Sequence, residues 1–92
     1  MEERRARTRF TVRCPVTVIT SDGTIQGETK DLSGDGAFIR CQKPPTPKEI
    51  LPLIIELPDG FPLDVSAEVV WSNASGPDDE KAPRGMGVRF LW

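Results

Sequence analysis

The sequence predicts an all-β fold, a small six-stranded antiparallel β-barrel, on three observations. Apolar residues recur with period two in segment after segment. Nine prolines and eight glycines fall mostly between those segments. No stretch carries the 3.6-residue apolar spacing of an amphipathic helix. Closure into a barrel follows from the strand count, because an open sheet of so many short strands would leave backbone edges exposed.

Val12, Cys14, Val16 and Val18 alternate with less apolar neighbours and predict the first strand. The turn "SDG" at 21–23 leads into a weaker second strand at about Thr24 to Lys30. A third is expected at Ala37 to Cys41, and Leu51, Leu53, Ile55 and Leu57 define a fourth. The longest series, Phe61, Leu63, Val65, Ala67, Val69 and Trp71, is the fifth, and Met86, Val88, Phe90 and Trp92 repeat the pattern as the sixth. Between them, "KPPTPKE" at 43–49 reads as an ordered extended loop and "SGPDDEKAP" at 75–83 as a mobile acidic one. There is no internal repeat.

Ninety-two residues make one small domain with a single core. Charge is near balance overall, with 12 Lys and Arg against 14 Asp and Glu, so no global field points to nucleic acid or a membrane as partner. Its distribution is uneven: five of the arginines lie in residues 1–13, which makes a basic arm ahead of an acidic body. The expected division is an arm at 1–11 and a barrel at 12–92. No apolar run is long enough to span a bilayer, and no signal-peptide segment comes after the charged N-terminus, so a cytoplasmic location is expected. Cys14 and Cys41 are too few for a disulfide framework and read as small core residues.

The segment Asp31 to Gln42, "DLSGDGAFIRCQ", is open to more than one reading. Asp31, Ser33, Asp35 and Gly36 fit the first ligands and the turning glycine of an EF-hand. That reading fails on two counts: position twelve is Gln42 rather than a bidentate glutamate, and the flanks alternate as strands rather than helices. Asp, Ser and Gly also form ordinary turns by bonding to their own backbone. A third reading is a nucleotide-facing turn that offers a carboxylate, a hydroxyl and a flexible backbone.

The arm decides in favour of the third. "RARTR" at 5–9 has the spacing Arg-x-x-x-Arg, and "DLSGDG" at 31–36 has the spacing Asp-x-Ser-x-x-Gly. Together, about twenty residues apart around the first strand pair, they resemble the two-part signature of PilZ domains, bacterial receptors for cyclic di-GMP. "RFTVRCPVTV" at 9–18 resembles the family's entry into its first strand, and "AEVVW" with "RGMGVRF" resembles its last two strands, so the resemblance covers essentially the whole chain. Arg9 and Arg13 fit the first spacing as well; Arg5 and Arg9 are preferred because Arg13 falls within the alternating strand. PilZ domains usually continue into a helix after the last strand. The resemblance therefore implies a C-terminal helix that is absent or truncated here, in a shortened member or a fragment.

The implied ligand is cyclic di-GMP, with no cofactor and no metal. Guanine O6 and N7 match the planar fork of an arginine, so Arg5 and Arg9 can clamp both phosphate and base. Asp31 is an acceptor for the N–H groups on guanine's Watson–Crick edge, and Ser33 can donate or accept beside it. Gly36 would allow close backbone approach or a positive φ. In the family the residue before the first motif arginine influences whether one ligand binds or an intercalated pair; here it is Arg4, which implies two molecules per chain. Trp71 could stack on a base or close the core. Arg89 should face outward, where the family sometimes places a further phosphate contact.

An enzyme is not expected, since there is no histidine and neither cysteine has an evident activating partner. The expected output passes to an unidentified effector protein or flanking domain. The competing class is a PilZ-like or OB-like barrel that binds protein or single strands without the messenger. Strand binding wants aromatics interleaved with bases, and most of the four Phe and two Trp fall in core phase.

Overall fold

Each alternating segment forms a strand in the computed structural model, which describes residues 10–74 and 83–92. The strands are β1 (Pro15–Thr20), β2 (Gly23–Leu32), β3 (Gly36–Arg40), β4 (Ile50–Glu56), β5 (Pro62–Asn73) and β6 (Gly85–Leu91). They form a closed barrel in the order β1-β2-β3-β6-β5-β4, and every neighbouring pair is antiparallel. The described residues contain no helix. Apart from Pro83, the loop expected at 75–83 lies outside the described residues.

The period-two pattern fills the barrel. Val16, Val18, Ile39, Leu53, Ile55, Val69 and Met86 are almost completely buried, each removing enough apolar surface from water to contribute about 1.5–3 kcal/mol. The other face of each strand looks outward. The 43–49 loop is tied to β5 at both of its last residues, with Lys48 N–H donating to the Val69 carbonyl (2.7 Å) and Val69 N–H donating to the Glu49 carbonyl (2.9 Å).

Two bulges interrupt the alternation. In β2, Thr29 pairs with Ile39 but Asp31 pairs with Phe38, so Lys30 is an extra residue. In β5, Val69 pairs with Val88 but Trp71 pairs with Gly87, so Val70 is extra. One inserted residue reverses the facing of the strand residues C-terminal to it. Asp31, two residues after the buried Thr29, is thereby turned to the outer face, and Trp71, two residues after the buried Val69, is turned out with it.

Three aromatics placed in core phase are exposed, each for its own reason. Trp71 is 50% exposed because of the β5 bulge. Phe61, at 68%, precedes β5 in a tight turn where its N–H donates to Asp59 Oδ1 and its carbonyl accepts from Leu57 N–H. Trp92, at 76%, lies beyond the last strand pairing, Ser66 with Leu91, and has no barrel interior beneath it. Its ring instead meets Phe90 edge-on at 5.5 Å.

Candidate ligand-binding site

The turn between β2 and β3 is closed by its own residues. Ser33 N–H donates to the Gly36 carbonyl (2.9 Å), and its hydroxyl lies 3.3 Å from the same oxygen while accepting from Asp35 N–H at 3.3 Å. The Ser33 hydroxyl thus shapes the turn, with a second lone pair left for another donor. Two contacts tie the turn to the end of β6: Phe90 N–H donates to the Asp35 carbonyl (2.7 Å), and the Trp92 indole N–H donates to the Gly34 carbonyl (2.8 Å). The segment joins strands rather than helices, as its alternating flanks predict.

Gly36 is required by close approach, not by a positive φ. A Cβ on it would lie 2.1 Å from the Val88 carbonyl oxygen, well inside contact distance. Its lack of a side chain lets β3 run against β6 where Gly36 pairs with Arg89.

Beside this turn the two bulges assemble one row across the outer face. Asp31 on β2 pairs with Phe38 on β3, Phe38 with Gly87 on β6, and Gly87 with Trp71 on β5. Three inter-strand steps make the row roughly 14 Å wide. The Phe38 and Trp71 ring centroids are 5.5 Å apart at 52°, and a Cβ on Gly87 would lie 3.7 Å from Trp71 Nε1, so the indole leans over the glycine. The row has a carboxylate at one end and an aromatic floor at the other, a combination suited to a flat heterocycle with N–H groups on its edge.

The next row pairs Gly36 with Arg89 and Arg89 with Glu68. Arg89 faces outward, as its phase predicts, and forms an ion pair with Glu68. An anion reaching Arg89 would compete with that carboxylate, and the pair itself is exposed enough to contribute only about 0–1 kcal/mol.

Arg4, Arg5 and Arg9 lie outside the described residues. The chain immediately after Arg9 does reach the turn: Phe10 N–H donates to the Leu32 carbonyl (2.7 Å) and Leu32 N–H donates back to the Phe10 carbonyl (2.9 Å). Arg13 does not fall within the first strand, which begins at Pro15, and it is exposed. The reason for preferring Arg5 to Arg13 as the partner of Arg9 is therefore removed.

Asp31, Ser33, Gly36, Trp71 and Arg89 are brought to one region by β2, β3, β5 and β6. Phe38, Gly87 and Glu68 belong to the same surface, although sequence reasoning does not single them out. Phe38 carries a signal, since a residue between inward-facing Ala37 and Ile39 must point out. Glu68 and Gly87 carry none, because only the β5–β6 register brings them beside Arg89 and Trp71. Burial pushes the Cys41 thiol up to about 11, so it stays protonated at neutral pH and is a poor nucleophile. No helix among the described residues is long and apolar enough to cross a membrane.

The chain matches the model of the PilZ domain over residues 3–92. It is also similar to a PilZ domain of CeSA from a cellulose-synthesizing bacterium, known from its crystal structure. The two share 26% identity with a TM-score of 0.60, over 91% of this chain and 81% of the other. No curated protein gives a significant match. With the family match spanning nearly every residue and the same six-stranded barrel behind it, the chain belongs to the PilZ domain family, known as receptors for cyclic di-GMP.

Proposed function

We propose that this chain is a cyclic di-GMP receptor that binds its ligand across the outer face of β2, β3, β6 and β5. The observation that carries this reading is the pair of bulges, which turn Asp31 and Trp71 out of core phase into one row beside the 33–36 turn. Asp31 accepts from the N–H groups of a guanine edge, Trp71 and Phe38 give a base a surface to stack on, and Ser33 fixes the turn beside them while its free lone pair accepts from the ligand. The arm, residues 1–11, supplies the cations. Arg5 and Arg9 clamp phosphate and the guanine O6/N7 edge, and Arg13 is the competing partner for Arg9. Ordering this arm over the ligand changes the surface offered to an effector protein or flanking domain. Arg89 joins as a phosphate contact when the ligand displaces Glu68.

Calorimetric titration with cyclic di-GMP tests this directly, with GMP and calcium as controls. Saturable binding of the cyclic dinucleotide is expected. Calcium binding with no response to the messenger would overturn the reading and return the loop to a metal role.

Trp71→Ala should weaken cyclic di-GMP binding by about 1–3 kcal/mol, the usual worth of one base stacked on an aromatic ring. Its melting temperature should change little, because the indole is half exposed. Unchanged affinity in the folded variant would remove Trp71 from the site.

Arg4 bears on stoichiometry. An intercalated pair of cyclic di-GMP molecules stacks four phosphodiester charges, and two arginines would leave much of their repulsion uncompensated. Two ligands per chain are expected, falling to one in Arg4→Leu with the fold unchanged. Raising salt should weaken the second ligand more than the first. Saturation of the unmodified protein at one ligand per chain would contradict this.

A further inference from the structure

Thr29 is the one polar side chain that is completely buried among the described residues, and both of its hydroxyl bonds go to the segment that joins the arm to the barrel. Its Oγ1 donates to the Val12 carbonyl (2.5 Å) and accepts from Cys14 N–H (2.9 Å), while its own N–H donates to the Cys14 carbonyl (2.9 Å). A buried hydroxyl is retained only where its partners are fixed, since leaving them unpaired is costly. The fixed partners here are the backbone groups on either side of Arg13.

Thr29 also bridges a gap in the ladder. Regular β1–β2 pairing begins at Pro15 with Glu28, and the bridge at Phe10 with Leu32 is one residue out of step with it. Between them Lys30 bulges out of β2. The Thr29 hydroxyl supplies bonds where the register slips, so residues 10–14 stay against 28–32. The same slip turns Asp31 outward. One side chain therefore sits where the path of the arm and the facing of the site carboxylate are both decided.

We infer that Thr29 is a positioning residue for cyclic di-GMP binding: by clasping Val12 and Cys14 it sets where the arginine arm leaves the barrel relative to Asp31. This rests on the receptor reading above. Thr29 touches no ligand; it acts through Arg9 and Arg13, whose starting points it fixes.

The test compares Thr29→Val, which keeps shape and loses both hydroxyl bonds, with Thr29→Ser, which keeps them, by calorimetric titration with cyclic di-GMP below the melting transition of each. Thr29→Val should bind at least tenfold more weakly, and Thr29→Ser should bind like the unmodified protein. In an Arg9→Ala, Arg13→Ala background the Thr29→Val change should have a much smaller effect, because the two cations whose starting points it fixes are gone. A general packing defect would weaken binding equally in both backgrounds and would overturn the inference, as would a folded Thr29→Val protein with unchanged affinity. Hydrogen exchange on the unmodified protein keeps the question open to refutation even where Thr29→Val does not fold. The amides of Phe10, Cys14 and Leu32 should slow together when cyclic di-GMP is added, and no change there would contradict the clasp. Failure of the unmodified protein to bind cyclic di-GMP is a separate result that overturns the receptor reading itself.

Discussion

Arg9→Ala is expected to weaken cyclic di-GMP binding by about 1.5–3 kcal/mol, roughly ten- to a hundredfold, because it removes charge-assisted bonds to phosphate and guanine. Arg9 belongs to both possible Arg-x-x-x-Arg pairs, with Arg5 inside the arm or with Arg13 just beyond it, so its loss is felt whichever pair binds. Its partner is identified by comparing Arg5→Ala with Arg13→Ala: the one that matches Arg9→Ala in effect completes the clamp. Arg7, between the two preferred arginines and out of the spacing, is the control. Calorimetry should find Arg7→Ala indistinguishable from the unmodified protein. A loss at Arg7 as large as that at Arg9 would mean that the arm acts as diffuse charge.

Gly36→Ala should damage the fold before it damages the site. The new Cβ would lie 2.1 Å from the Val88 carbonyl oxygen and 3.3 Å from Arg89 Cα, all of it backbone, so no side chain can swing aside to make room. Strands β3 and β6 would have to part at the Gly36–Arg89 pair, at a cost of about 2–3 kcal/mol, which for a domain of this size lowers the melting temperature by roughly 10–20 °C. Thermal unfolding without ligand checks this. A glycine needed only for approach of the ligand would leave that transition in place and lose affinity alone.

The strands are legible in the sequence because alternation comes from the pleat itself, and the buried phase of Val16, Val18, Leu53, Ile55 and Val88 can be read from neighbours two residues away. The bulges are not. A single extra residue is fixed by cross-strand register, which the pattern along one strand does not encode, and so Trp71 counts among core-phase residues until the strands are paired. A trace of the second bulge does exist in "EVVW", where consecutive valines at 69 and 70 break the alternation just where the strand slips. The first is hinted at by Thr29, a polar residue in an inward position. Trp92 illustrates the other kind of limit: its bond to the Gly34 carbonyl spans 58 positions and depends on where β6 ends against the turn. Of the candidate site, the Asp31–Gly36 motif is recognisable by residue type and spacing, whereas Phe38, Gly87 and Glu68 join it only through barrel closure.

The central claim is a location as much as an affinity: cyclic di-GMP on the outer face of β2, β3, β6 and β5. Amide NMR spectra of the unmodified chain, recorded with increasing cyclic di-GMP, test it most directly. The account predicts that the largest shifts fall on Asp31, Ser33, Phe38, Trp71 and Gly87 and on the arm, with the outer face of β1 and β4, around Ile19 and Ile54, unaffected. Shifts concentrated on that opposite face, or none at saturating ligand, would contradict it.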